Sequence, residues 1–187
     1  VDFTSQNVYK GLAGFYILIS DQDCGDETKG FRLPAPHGVY DIPLMLTDKV
    51  FDSSGRLFFD LFNLDGIVGD KFLVNGKIQP FFQVQPRRYR FRLLDGGPSR
   101  FYQVFLTDLS NTSLSIPFWQ ISSDGNLLPR PLKVTSTKLG VAERADVIID
   151  FSPFAGKSIY LENRLEQKDG RGEIAARLAE AEAARAA

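Results

Sequence analysis

Apolar and polar residues alternate in short runs along most of this chain. In "RRYRFRLL", Tyr89, Phe91 and Leu93 fall on one face of a strand, and Arg88, Arg90 and Arg92 fall on the other. "DIPLMLTDKVF" places Ile42, Leu44 and Leu46 on alternate positions, the period of a strand with one buried face. "ERADVIIDF" ends in Val147, Ile148, Ile149 and Phe151, a β-branched run that suits burial on both faces. "RLFFDLF", "RFYQVFLTDL", "FWQISSDGN", "PLKVTSTKL" and "KSIYLEN" also read as strands. An earlier apolar run, Leu12 to Ile19, predicts a strand through Phe15, Tyr16, Ile17 and Ile19.

Turn chemistry separates these runs. Asn75-Gly76 in "KFLVNGKIQPFF" is the strongest hairpin signal, and Pro80 assigns its return strand to an edge or a bulge. "DSSG" at 52–55 and Asp124-Gly125 are further turns, and Gly96, Gly97 and Pro98 end the arginine-bearing strand. No segment before residue 165 shows the helical period. Short strands at regular spacing predict an all-β, antiparallel sandwich or barrel. The polar stretch from Ser20 to Lys29, extended by Pro34 and Pro36, reads as a linker.

The ending breaks the pattern. From Glu173 to Ala187 more than half of the residues are Ala, with Glu173 and Arg177 spaced as a helical pair, so a short helix or a solvated tail is expected there. Composition adds little to this picture. Hydrophobic residues make up 43% and charged residues 24%, and the net charge is -1. That balance offers no basic surface for nucleic acid and no pull towards an anionic membrane. No apolar run approaches the roughly 18 residues of a membrane span, and Val1-Asp2-Phe3 does not open a signal peptide.

Candidate chemistry is sparse. The chain has one Cys, Cys24, and one His, His37. No internal disulfide forms, and a catalytic pair would have to run through His37, which lies in the loop "LPAPHGVYD". Cys24 stands among carboxylates that disfavour a thiolate. The arginines Arg87, Arg88, Arg90, Arg92 and Arg100 suggest an anion-binding face. The alternative is that Arg90 and Arg92 pair with Asp95, Glu143 and Asp146 on neighbouring strands and loops. "DGIVGD" lacks the ligand alternation of a calcium loop, and "GxxGDK" is too short for a phosphate loop. A copper carrier built from His37, Cys24 and Met45 would have one histidine where such sites normally use two. The residues themselves assign no catalytic, cofactor-binding or metal site.

Four stretches carry a family resemblance: "LVNGKIQP", "RRYRFRLLDGGPSRFYQVFL", "ISSDGNLL" and "LGVAERADVIIDFS". In this order and spacing they resemble the middle cupredoxin-like domain of three-domain multicopper oxidases, the laccase and bacterial spore-coat-type branch. The resemblance implies a cupredoxin-like Greek-key β-sandwich. It implies that residues 1–24 end a first cupredoxin-like domain, that 25–39 are a linker, that 40–165 are the middle domain, and that 166–187 are not family-like. Asp95 stands where the family more often has Asn. In such oxidases copper is bound by the first and third domains, which are the implied partners, and the middle domain spaces them and shapes the substrate cleft. The implied parent reaction is oxidation of phenols, aromatic amines or metal ions coupled to O2 reduction, with none of its ligands in this chain, which is expected to be inactive alone. An extracytoplasmic or spore-coat location follows by resemblance only. The alternative is a non-catalytic interaction module prone to self-association through uncovered edges.

Overall fold

The computed structural model describes residues 3–171. The expected Ala-rich helix at 173–187 lies outside them. Twelve strands form two sheets. They are β1 (Asp41–Phe51), β2 (Leu57–Phe58), β3 (Lys71–Val74), β4 (Lys77–Ile78), β5 (Arg88–Asp95), β6 (Tyr102–Asp108), β7 (Asn111–Ile116), β8 (Phe118–Ser123), β9 (Asn126–Val134), β10 (Ser136–Leu139), β11 (Arg144–Asp150) and β12 (Ile159–Asn163). The larger sheet runs β4-β3-β1-β5-β11-β8-β9 with β2 beside β1, and the smaller runs β10-β6-β12 with β7 beside β6. Neighbours that are distant in sequence, such as β5 and β11, show the chain crossing repeatedly between sheets, as a Greek-key sandwich requires.

The alternation in the sequence builds the core. Tyr89, Phe91 and Leu93 of β5 and Ala145, Val147 and Ile149 of β11 face Tyr102, Val104 and Leu106 of β6. Each such side chain contributes about 1.5–3 kcal/mol when fully buried. Tyr89 is the hub of an aromatic cluster, with the Tyr40 ring 5.3 Å away, Phe151 at 5.8 Å and Phe91 at 6.0 Å. Its hydroxyl accepts a hydrogen bond from Gln85 N at 2.9 Å.

The Asn75-Gly76 hairpin forms as expected, with positive φ at both residues. Asn75 does more than turn the chain. Its Oδ1 accepts from Met45 N at 2.8 Å and its Nδ2 donates to Pro43 O at 2.9 Å, pinning the hairpin to β1. The return strand β4 is the sheet edge, as Pro80 implies. Asp124-Gly125 likewise turns β8 into β9 with positive φ at both positions.

Four expectations need correction. The sandwich is not wholly antiparallel: β1 and β5 run parallel, Asp41 opposite Arg90 through Leu46 opposite Asp95. A parallel pair needs a long crossover, and the irregular chain with β2, β3 and β4 supplies it. Residues 12–19 form no strand, because no other strand lies alongside to complete a ladder. "RLFFDLF" yields only the two residues of β2, after which Phe62 and Leu64 project outwards. A helix absent from the sequence reading, α1 (Thr4–Tyr9), precedes all of this. "TSQNVY" lacks an apolar period, and its buried residue anchors it: Tyr9 is fully buried, its hydroxyl accepting from Val50 N at 2.6 Å and Lys49 Nζ lying 4.5 Å above its ring. Among the described residues no helix is long and apolar enough to cross a membrane.

Candidate functional site

The outer face of β5 carries the arginines, and it is covered. Arg90 is only 2% exposed. Its Nη1 donates to both carboxylate oxygens of Asp23 at 2.8 Å, and its Nε donates to Asp146 Oδ2 at 3.0 Å, with Nη2 on the same oxygen. Arg92 forks onto Asp41, Nε to Oδ1 at 2.9 Å and Nη2 to Oδ2 at 2.7 Å. Longer contacts of 3.8 Å cross-link the set: Arg90 to Asp41, Arg92 to Asp23 and Arg92 to Asp146. Two guanidiniums are thus enclosed by three carboxylates, one from β1, one from β11 and one from the segment that precedes β1. Planar forks matched to carboxylates suit arginine and not lysine.

Asp23 makes this arrangement a clasp. It belongs to the polar stretch after Ser20, and it ties that stretch down over the sheet. The stretch is folded locally as well: Ser20 N donates to Asp23 O at 3.2 Å, and Phe31 N donates to Gln22 O at 2.8 Å. Gly30 is required there, since a Cβ would meet Gln22 O at 2.0 Å and its φ is +53°. A second tie holds the far end. Glu27 accepts from Ala35 N at 2.9 Å and pairs with Arg87, whose guanidinium lies 3.6 Å over the Tyr40 ring.

The remaining arginines are also engaged. Arg88 reaches Asp150 at 3.4 Å in solvent. Arg100 is buried, donating Nε to Asp48 Oδ2 at 2.7 Å and Nη2 to Gly69 O at 2.7 Å. Arg90, Arg92 and Arg100 are therefore spent on buried carboxylates, and Arg88 alone of the strand's arginines stands in solvent. Of the three expected partners only Asp146 pairs with Arg90 and Arg92. Glu143 instead accepts from Gly140 N at 2.6 Å, and Asp95 accepts from Gly97 N at 3.0 Å. Asp23, Asp41, Asp48 and Glu27 are the partners that the sequence reading missed. Asp23 and Asp41 flank the predicted linker, and acidic residues at both ends of a loop beside an arginine strand were the available signal.

Copper does not fit the residues present. Among the described residues no group of three His, Cys, Asp or Glu side chains has the geometry to hold a metal ion. His37 lies half-exposed with Nδ1 3.7 Å from Asp41 Oδ2. Met45 stands four residues beyond Asp41 on β1, roughly 13 Å along the strand at its usual rise. Cys24 is a free thiol in the clasped stretch.

Apolar surface is the other conspicuous feature. Leu12, Tyr16, Leu18 and Ile19 are all exposed, Tyr16 by 90%. The loop after β2 adds Leu61, Phe62 and Leu64, and the loop after β4 adds Phe81 and Phe82. Between α1 and the loop after β2 lies a cleft of about 360 Å³, lined by Phe3, Phe59, Leu61, Leu64, Ile67 and Pro98 among others.

No family model matches the chain. It is 39% identical over 172 residues to the laccase of Bacillus subtilis (strain 168), a match covering 86% of this chain and 31% of the laccase. It is 37% identical over 156 residues to the cell division protein FtsP of Xenorhabdus nematophila, covering 83% of this chain and 31% of that protein. Among solved structures it superposes on a variant of the McoA multicopper oxidase from Aquifex aeolicus with a TM-score of 0.79 and 34% identity. That match covers 88% of this chain and 35% of the oxidase chain. The sandwich is therefore cupredoxin-like, and the chain spans about three tenths of the length of the curated relatives it matches.

Proposed function

The chain belongs to the multicopper oxidase family, and we propose that it is the part of such an oxidase that separates the copper-binding domains. On this reading residues 1–24 complete a first cupredoxin-like domain, 25–39 link it onward, and 40–165 form a middle domain without copper ligands, while 166–187 depart from the family pattern. The partial span carries the proposal: most of this chain aligns, yet it accounts for only 27% to 32% of the first relatives' length.

The side chains give this part a mechanical role. The clasp of Asp23, Asp41 and Asp146 on Arg90 and Arg92 fixes where the linker leaves the sandwich, and so fixes the direction of whatever domain precedes it. The exposed run from Leu12 to Ile19 has the alternation of a strand, and the strands of the preceding domain would complete its ladder. The parent reaction would be oxidation of phenols, aromatic amines or metal ions with reduction of O2, at copper ions that the first and third domains hold. A second reading is a non-catalytic interaction module, and the similarity to a protein named for cell division favours it.

The test is copper content after incubation with excess Cu(II) and exhaustive dialysis, with a phenol-oxidation assay alongside. Near-zero copper and no oxidation are expected. Retention of about one copper per chain, lost in His37→Ala and Cys24→Ser, would overturn the reading. The two readings separate on mixing with the first and third domains of a family laccase. Recovered oxidation supports the oxidase reading, and association without oxidation supports the interaction module.

A further inference from the structure

Three polar side chains outside the clasp are buried near the passage from β5 of one sheet to β6 of the other. Asp48 lies in β1, Asp95 closes β5, and Tyr102 opens β6 in the other sheet. They are 0%, 1% and 3% exposed. Each has one atom without a hydrogen-bond partner: Asp48 Oδ1, Asp95 Oδ2 and the Tyr102 hydroxyl. Their other oxygens are committed. Asp48 Oδ2 accepts from Arg100 Nε at 2.7 Å and Gly69 N at 2.5 Å, and Asp95 Oδ1 accepts from Gly97 N at 3.0 Å. Gly97 stands between the two acids. A Cβ there would lie 3.3 Å from Asp48 Oδ1 and 3.4 Å from Asp95 Oδ1, so the two acids border the same residue.

Arg100 bonds Asp48, and Lys49 also acts on Asp48 while its Nζ donates to Tyr9 O. Asp95 faces Asp48, Glu143, Arg100 and the Gly97 N–H. Burial, reinforced by the two carboxylates and opposed by the Gly97 N–H and Arg100, pushes its carboxyl up to about 8. Tyr102 is pushed up too, first by burial and then by Asp48 and Asp95, so it stays a phenol. The cluster then presents two donors, Asp95 Oδ2–H and Tyr102 O–H, and one anionic acceptor, Asp48 Oδ1. A water accepts two hydrogen bonds and donates two, and buried waters typically have two to four polar partners. One water within reach of the three would satisfy each of them.

We propose that Asp48, Asp95 and Tyr102 form a buried site for a single water molecule, and that this site makes the join between the sheets sensitive to pH. The sign follows from linkage. The folded chain holds a proton that the unfolded chain releases above the ordinary aspartate value of about 3.9. The stability this site contributes is whole below that value, declines as pH rises through the window up to about 8, and levels off above it.

The experiment is urea unfolding of the full 187-residue chain and of Asp95→Asn at intervals from about pH 5 to about pH 9. Across the window the unfolding constant of the unsubstituted chain is expected to rise about tenfold per pH unit relative to Asp95→Asn. Its infrared spectrum should show a protonated-carboxyl C=O band at acid pH that fades on titration towards pH 9. That band needs no variant, so the test survives if Asp95→Asn fails to fold. A crystal structure should show one density peak in hydrogen-bond reach of all three atoms. Parallel pH slopes, or no acid band, would mean that Asp95 is ionised and would overturn the proposal. Direct Asp95–Asp48 contact with no intervening density would overturn the water site.

Discussion

Two regions of this chain reverse what their sequence patterns suggest. The arginine face of β5 reads as the solvent side of a strand, yet Arg90 is among the most buried large side chains in the molecule. The run from Leu12 to Ile19 reads as a core strand, yet its alternate residues stand in solvent. The difference lies in what is available to cover each. Asp23, Asp41 and Asp146 come from three separate elements to close over the arginines. No strand lies beside residues 12–19 to accept their hydrogen bonds. A pattern states what a side chain requires, and the fold decides whether the requirement is met inside this chain or by another one.

The largest effect expected on this comparison comes from breaking the clasp. Arg90→Ala leaves Asp23 and Asp146 in a buried setting without the cation that bonds them, with Arg92 3.8 Å from each. Removing one partner of a buried pair costs about 3–5 kcal/mol, and urea unfolding should show a loss of that size. Arg90→Met, which takes away charge but keeps volume, should cost no less while the three carboxylates remain. Amide exchange at Phe31 and Ala35 should quicken in both variants, since their N–H groups bond within the clasped stretch. Unchanged exchange there would mean that the stretch is held by its own turns and not by Arg90.

The local parts of the fold were legible because their causes are local. Alternation in Tyr89, Phe91 and Leu93 needs only the strand period, and Asn75-Gly76 and Asp124-Gly125 need only positive φ. The clasp was half legible. The arginines call for carboxylates, but the choice of Asp23 and Asp41 over Asp95 and Glu143 depends on which distant segment lies over β5. The helix α1 was not legible at all, because its buried Tyr9 is anchored by the distant Lys49 and Val50, with no apolar stripe in its own sequence. The parallel pairing of β1 and β5 likewise rests on a crossover whose residues carry no repeating pattern.

Asn75 gives an intermediate effect and sharpens the comparison from the legible side. Asn75→Ala loses two side-chain hydrogen bonds to β1 and places a residue with a Cβ, but no local hydrogen bond, at positive φ. Together these should cost about 1–3 kcal/mol. Asn75→Gly restores the turn without the bonds to Pro43 and Met45. If it recovers full stability, the pinning to β1 contributes nothing, and the dipeptide is a turn signal alone.

The smallest effect is expected where the sequence signal for burial is strong. Ile19 would be a core residue by its pattern, and truncating a core isoleucine to Ala costs about 2–5 kcal/mol. In this chain Ile19 is 75% exposed, so Ile19→Ser should change unfolding stability by no more than about 0.5 kcal/mol. The same substitution should weaken any self-association measured by sedimentation, because it removes apolar surface from a strand-like segment with no ladder. A loss above about 2 kcal/mol would show that residues 12–19 are packed within the folded chain. The contrast with the arginine face would then disappear, and with it the argument that this segment belongs to the sheet of a neighbouring domain.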